Sequence, residues 1–188
     1  WLIVDESHSF GVVGPTGRGA VEQYGLARQR VVAGGSMGKA FCAYGGIAVG
    51  PKAAIDAMWK SPAARGAASG MSSGAAMTAA SMRLVEQHPE RLERLRENVR
   101  RLKAGVQALG FNVEDTNAPV ATFDCGTAAE MMALQQNLMD EGILVFYSTY
   151  VGAGPNGVIR CAVFADHAPE DIDRLLEALS RNLHSVRS

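Results

Sequence analysis

Cysteine and aromatic side chains are scarce in this chain: 188 residues hold three Cys and two Trp, and only 6% are aromatic. Cys42, Cys125 and Cys161 are widely spaced with no C-x-x-C pair, which excludes a disulfide scaffold and a cysteine-rich zinc site. Reduced, buried thiols in a cytoplasmic setting are the expectation. No apolar run approaches the roughly 18 residues that a bilayer span needs, so no membrane partner is expected, and no signal peptide is visible. An excess of one charge is missing too. Eighteen basic against nineteen acidic side chains leave a net charge of −1, which gives no field for gathering nucleic acid or an anionic membrane. The chain opens at Trp1, without methionine, directly on an apolar strand, and so reads as a piece of a longer protein.

What the chain does have is apolar material, 47% of its residues, enough for one ordinary domain or parts of two. Residues 1–4 read as a buried strand. Gly11, Gly14, Pro15, Gly17 and Gly19 mark a turn-rich loop, and the stretches at Val31–Val32 and 45–49 read as further strands. Pro51 suits the first turn of a helix that carries Ile55 and Met58 inward. Strands alternating with helices imply an α/β layer.

Residues 63–81 are almost wholly Ala, Gly, Ser and Met. Small side chains let backbones approach, so an ordered turn running into a helix at the 77–84 end is favoured over a flexible linker. Leu92, Leu95, Val99, Leu102, Val106 and Leu109 then recur at spacings of three and four, which predicts one long amphipathic helix over 84–109, bent or restarted at Pro89. Its arginines interleave with Glu90, Glu93 and Glu97, a self-paired solvated face in preference to a nucleic-acid surface. Beyond it the pattern predicts a strand at 120–123, a helix over 128–140, strands at 143–146 and 158–164, and a final helix burying Ile172, Leu175, Leu176, Leu179 and Leu183. The domain boundary is placed inside the long helix, giving domains 1–90 and 91–188.

Two sets of residues carry chemistry. Leu2-Ile3-Val4-Asp5-Glu6 resembles a Walker B strand, and Gly38-Lys39 a phosphate loop. A Walker A loop, however, needs Gly where Ala33 stands and Ser or Thr where Ala40 stands, and the order of the two elements is reversed. The other set is Asp5 and His8 at the end of one strand with Ser36 and Lys39 just beyond another. An amine among small residues can form a Schiff base with pyridoxal phosphate, an Asp can hold the proton on the pyridine nitrogen, and a His and a Ser can reach the phenolic oxygen and the phosphate. From these residues alone a loop-capping Asp, a structural His and a solvated surface Lys stay equally open.

Val4-Asp5-Glu6-Ser7-His8-Ser9-Phe10-Gly11, Gly14-Pro15-Thr16-Gly17-Arg18-Gly19, Ser36-Met37-Gly38-Lys39-Ala40, Gly45-Gly46, Ile159-Arg160-Cys161 and His167-Ala168-Pro169-Glu170-Asp171-Ile172-Asp173 together resemble the α-oxoamine synthase family over nearly the whole chain. The resemblance implies a pyridoxal-phosphate-dependent transferase of fold type I, here the later part of the large, mostly parallel-sheet α/β domain followed by a smaller C-terminal α+β domain, in a homodimer. By motif position it implies that Lys39 is the Schiff-base lysine, Asp5 the pyridinium partner, His8 the residue at the phenolic oxygen and Ser36 the hydroxyl at the phosphate. It also implies that Arg160 holds the amino-acid carboxylate, for which a planar guanidinium is suited.

The implied reaction condenses a small amino acid with an acyl thioester such as acyl-CoA, with loss of carbon dioxide, and Lys39 is the natural base for its proton steps. An aminotransferase or lyase of the same fold and a noncatalytic subunit are the rival readings. The chain departs from the family pattern in three places. Ser69 to Ala75 replaces an aromatic-Ser/Thr stretch with Pro-Pro, whose serine would reach the neighbouring subunit's phosphate. Ala168 replaces a Thr, and Tyr150 to Pro155 replaces a Pro-rich approach to the arginine.

Overall fold

In the computed structural model, which describes residues 1–66, 70–150 and 152–186, strand β1 (Leu2–Asp5) runs parallel to β2 (Val31–Ser36), and β3 (Gly46–Val49) closes the sheet antiparallel to β2. The turn-rich loop lies between β1 and β2 and contains the short helix α1 (Ala20–Gln23). Its Gly11, Gly14, Gly17 and Gly19 all adopt the positive φ that other residues avoid. Val21, Val31 and Ala33 form one small core with Val4, Phe10 and Leu26; Met37, Phe41 and Ala43 form another with Ile47 and Val85.

β1 is not buried as the apolar run suggested: Trp1 is 74% and Ile3 82% exposed. Among the described residues the strand pairs on one side only, and Val4 is its one side chain packed into a core cluster. Helix α2 (Lys52–Lys60) starts one residue after Pro51, which caps it in an extended conformation. Ile55 is half-buried, but Met58 is exposed. The two line an open apolar recess with Ala48, Trp59 and Ala64, so the inward face expected here is only partly covered.

After α3 (Pro62–Gly66) comes α4 (Ser72–Gln87), which begins well before residue 77. Its Gly74 is buried, and a Cβ there would sit 2.9 Å from the Tyr44 carbonyl oxygen. Close backbone approach is therefore what the small residues provide at this point. The helix expected over 84–109 is interrupted and restarts at Pro89, one of the two outcomes read from that proline. His88 leaves helical geometry, with φ −127° and ψ 64°, and α5 (Pro89–Ala108) restarts at the proline, which cannot donate a helical hydrogen bond. The chain divides into two compact units, Trp1–Leu92 and Glu93–Ser188.

The second unit is an antiparallel sheet of β4 (Val120–Phe123), β6 (Val158–Ala162) and β5 (Phe146–Ser148) in that order, with α6 (Ala128–Asp140) and α7 (Pro169–Val186). A capping box between Thr127 and Glu130 starts α6. Ala121, Phe123, Ile159 and Cys161 face a core shared with Leu102 and Val106 of α5, Met131, Leu134 and Leu138 of α6, and Ile172 and Leu179 of α7. β5 starts at Phe146 instead of Ile143. The Ile143 N–H donates to the Leu138 carbonyl at 2.8 Å, so that stretch closes the end of α6.

Two of the thiols are buried, and burial pushes the Cys161 thiol up to about 12; Cys42, on a tight turn with φ 47°, is exposed, contrary to expectation. Arg94 and Arg101 of α5 pair with Asp166 and Asp173, so these two arginines look across to other segments of their unit and not to the glutamates of their own helix. No helix of the described residues is long and apolar enough to cross a membrane.

Candidate active site

Asp5, the last residue of β1, lies in register with Gly34, so the segment after β1 runs beside the end of β2. Gly35 permits this contact, since a Cβ on it would sit 2.6 Å from the Ser7 nitrogen. The Ser36 N–H donates to the Ser7 hydroxyl oxygen at 3.0 Å, stapling the two segments together. Ser7 also turns back on β1, donating its N–H to Asp5 Oδ1 at 2.8 Å. The Ser7 hydroxyl and amide, followed by the charges of Lys39 and His8, hold the exposed Asp5 carboxyl below its ordinary 3.8.

Residues 37–45 fold back tightly after β2. The Met37 N–H reaches the Gly45 carbonyl at 3.0 Å, the Ala43 N–H the Met37 carbonyl at 2.9 Å, and the Cys42 N–H the Lys39 carbonyl at 3.1 Å. Met37, Phe41 and Ala43 point inward, which leaves Lys39 at the exposed corner. Among the described residues its amine has no hydrogen bond or ion pair. The Ser36 hydroxyl oxygen accepts from the Gly38 N–H at 3.1 Å, so its own proton remains for an outside acceptor.

Asp5, His8, Ser36 and Lys39 thus gather at one end of the first sheet. Arg160 belongs to the second unit. It lies on the central strand β6, opposite Thr122 and Phe146, and on the face away from Ile159 and Cys161, which are buried. Its guanidinium has no hydrogen bond or ion pair among the described residues. Ser69, a candidate for the neighbouring subunit's phosphate, lies outside the described residues; Ser72 and Ser73 open α4.

Three residues that support this corner were not singled out from the sequence. Glu6, fully buried, accepts the Ala20 N–H at 2.7 Å, the Val21 N–H at 2.9 Å and the Ser9 hydroxyl. Glu22 accepts the Thr16 N–H and the Arg18 N–H, each at 3.0 Å, and the Thr16 hydroxyl at 2.6 Å. Ser7 is the third. A loop with four positive-φ glycines leaves many N–H groups without secondary-structure partners, and carboxylates on either side of it were the available signal. The loop in turn lies on the lysine turn: a Cβ on Gly11 would be 2.8 Å from the Ala40 Cβ.

A family model described as aminotransferase class I and II matches residues 1–179. The 8-amino-7-oxononanoate synthase of Thioalkalivibrio sulfidiphilus is 34% identical over 187 residues, covering 97% of this chain and 47% of the relative. That of Methylococcus capsulatus is 37% identical over 184 residues, covering 96% and 47%. Among solved structures, serine palmitoyltransferase from S. paucimobilis with PLP and myriocin bound is 28% identical with a TM-score of 0.88, covering 98% of this chain and 48% of that one. The chain spans about half the length of the curated relatives it matches.

Proposed function

Because the chain belongs to the aminotransferase class I and II family, and within it to the α-oxoamine synthases of fold type I, we propose that the whole protein is an acyltransferase that condenses a small amino acid with an acyl thioester, acyl-CoA in the first instance, and releases carbon dioxide. The cofactor is pyridoxal 5′-phosphate. The observation that carries this reading is the meeting of the Asp5 carboxylate, held anionic by Ser7, with the charges of Lys39 and His8 at one end of the first sheet.

The donor set fits that group. It offers an exposed amine without an ion pair, a carboxylate with depressed proton affinity, and a hydroxyl whose proton is uncommitted. Pyridoxal phosphate, when bound, supplies an electron sink for negative charge at the amino-acid α-carbon. Lys39 Nζ would hold the cofactor covalently, and as a free amine it would be the base placed to take and return the α-proton. Asp5 holds the proton on the ring nitrogen. Ser36 Oγ donates to the phosphate, and His8 orients the ring through the phenolic oxygen. Arg160 binds the substrate carboxylate through paired N–H donors. Residues 1–90 would be the later part of the large domain and 91–188 the small one, in a homodimer.

Borohydride reduction of the full-length protein with pyridoxal phosphate, followed by mass mapping, tests the assignment. A pyridoxyl adduct on Lys39 is the expected result, and labelling at another residue would remove it. Turnover that ignores acyl-CoA would point instead to aminotransferase or lyase chemistry. A folded protein that takes no label would leave a noncatalytic subunit.

A further inference from the structure

We infer that Ser7 is a positioning residue for Asp5, a staple whose hydroxyl takes the Ser36 N–H and gives its own proton to the Asp5 carboxylate. The inference rests on the cofactor reading above and deepens it, because Asp5 is the group assigned to the ring nitrogen.

A serine hydroxyl has one proton to give and lone pairs to receive. Here the Ser36 N–H, 3.0 Å away, is the donor it receives. The hydroxyl proton is therefore free to turn to the carboxylate two residues back, where the Ser7 N–H already binds Oδ1 at 2.8 Å. Ser7 thus binds Asp5 through its amide, and the inferred turn of its hydroxyl adds a second donor to the same carboxylate. An exposed carboxylate without such contacts would sample several rotamers, and each ordered contact lowers what is lost when a ligand is bound.

A local turn would explain the N–H contact alone. It does not explain the bond to Ser36, which lies 29 residues away in sequence and three residues before Lys39. That bond couples the carboxylate on one segment to the amine on the other. The coupling also depends on Gly35, because a Cβ there would stand 2.6 Å from the Ser7 nitrogen and 2.9 Å from its Cα. A side chain at residue 35 would push the staple off the end of β2. Lys39 and His8 are the charged or titratable groups that act on Asp5, and both remain when Ser7 is changed.

The test uses the full-length protein as wild type, Ser7→Ala and Ser7→Thr. NMR titration of the Asp5 carboxyl is followed without cofactor, and pyridoxal phosphate affinity is then measured on the same samples. In Ser7→Ala the Asp5 titration should rise toward its ordinary range, and affinity should fall about ten-fold, the scale of one lost hydrogen bond to a charged group. Ser7→Thr, which keeps the hydroxyl, should restore both. An Asp5 titration unmoved in Ser7→Ala would overturn the inference, as would an unchanged cofactor affinity. A wild type that binds no pyridoxal phosphate would bring down the cofactor reading and this inference with it. The two failures are distinguishable, because that of the cofactor reading shows in the wild type before any variant is compared, and that of the inference alone only as a lack of difference between a cofactor-binding wild type and Ser7→Ala.

Discussion

A Cβ on Gly19 would come within 2.5 Å of the Glu6 carboxylate. The backbone of residues 19–21 wraps over that buried carboxylate, and Glu6 repays the contact by accepting the Ala20 and Val21 N–H groups. The loop between the first two strands is thus tied to the residue immediately after Asp5. The segment that carries Asp5 and the loop that follows it share one anchor in Glu6.

Gly19→Ala meets both a steric block and a φ of 92°. It should destabilise by about 2–4 kcal/mol, combining backbone strain with displacement of a buried carboxylate. Glu6→Ala removes the clash partner but leaves two backbone N–H groups without an acceptor, at about 1–3 kcal/mol each. Urea unfolding of both variants measures this, and a Gly19→Ala midpoint equal to wild type would contradict the wrapped geometry.

Gly74→Ala tests the small-residue segment by sign. In an open helix the change would stabilise by about 1 kcal/mol. Here the added Cβ would stand 2.9 Å from the Tyr44 carbonyl oxygen, so the helix must shift and we expect a net loss of about 1–3 kcal/mol. A thermal melt that moves upward would show that the contact is loose.

The helices were legible because their apolar spacing reports packing directly. The stripe Val99, Leu102, Val106 is buried as read, and the expected helix over 128–140 coincides with Ala128–Asp140. The burial of β1 was misread, because an apolar run states what a strand can cover, not what lies over it; Ile3 has no covering partner among the described residues. The grouping of Asp5, His8, Ser36 and Lys39 followed from motif order. The roles of Glu6 and Ser7 did not, since they act by accepting backbone N–H groups from residues 14 and 29 positions away, and no local pattern encodes such a pairing. Cys42 was expected to be buried, as free cysteines commonly are, and its place on the lysine turn exposes it instead.

Lys39→Ala should abolish the borohydride-fixed adduct and lower kcat by about 10²–10⁴, the scale of a lost general base, even when the cofactor is in excess. Thermal stability should hardly change, since the Lys39 side chain is exposed and makes no hydrogen bond or ion pair among the described residues. A variant that unfolds would instead give the side chain a structural part.

Arg160→Lys keeps the charge and discards the planar fork. We expect the KM for the amino acid to rise about 10- to 100-fold while the KM for the acyl thioester stays put. Steady-state kinetics with each substrate varied in turn would show the split. Equal changes in both would indicate that Arg160 acts on the sheet and not on the carboxylate.

The Asp5 carboxyl is held below 3.8 by the Ser7 hydroxyl and amide and then by Lys39 and His8. A folded-state value below the unfolded one means that the ionised form is favoured by folding. The stabilisation is therefore complete above 3.8 and is lost as the pH falls through the lower folded value. Between neutrality and pH 5 the carboxylate should keep its charge, and cofactor binding should show no titration from this group. Asp5→Asn removes the charge at every pH. It should weaken cofactor binding throughout and abolish the part of the acid-side loss that belongs to Asp5. Absorbance titration of the holoprotein from pH 7 downward, wild type against Asp5→Asn, would decide the matter, and an unchanged acid limb in the variant would assign that limb to another group.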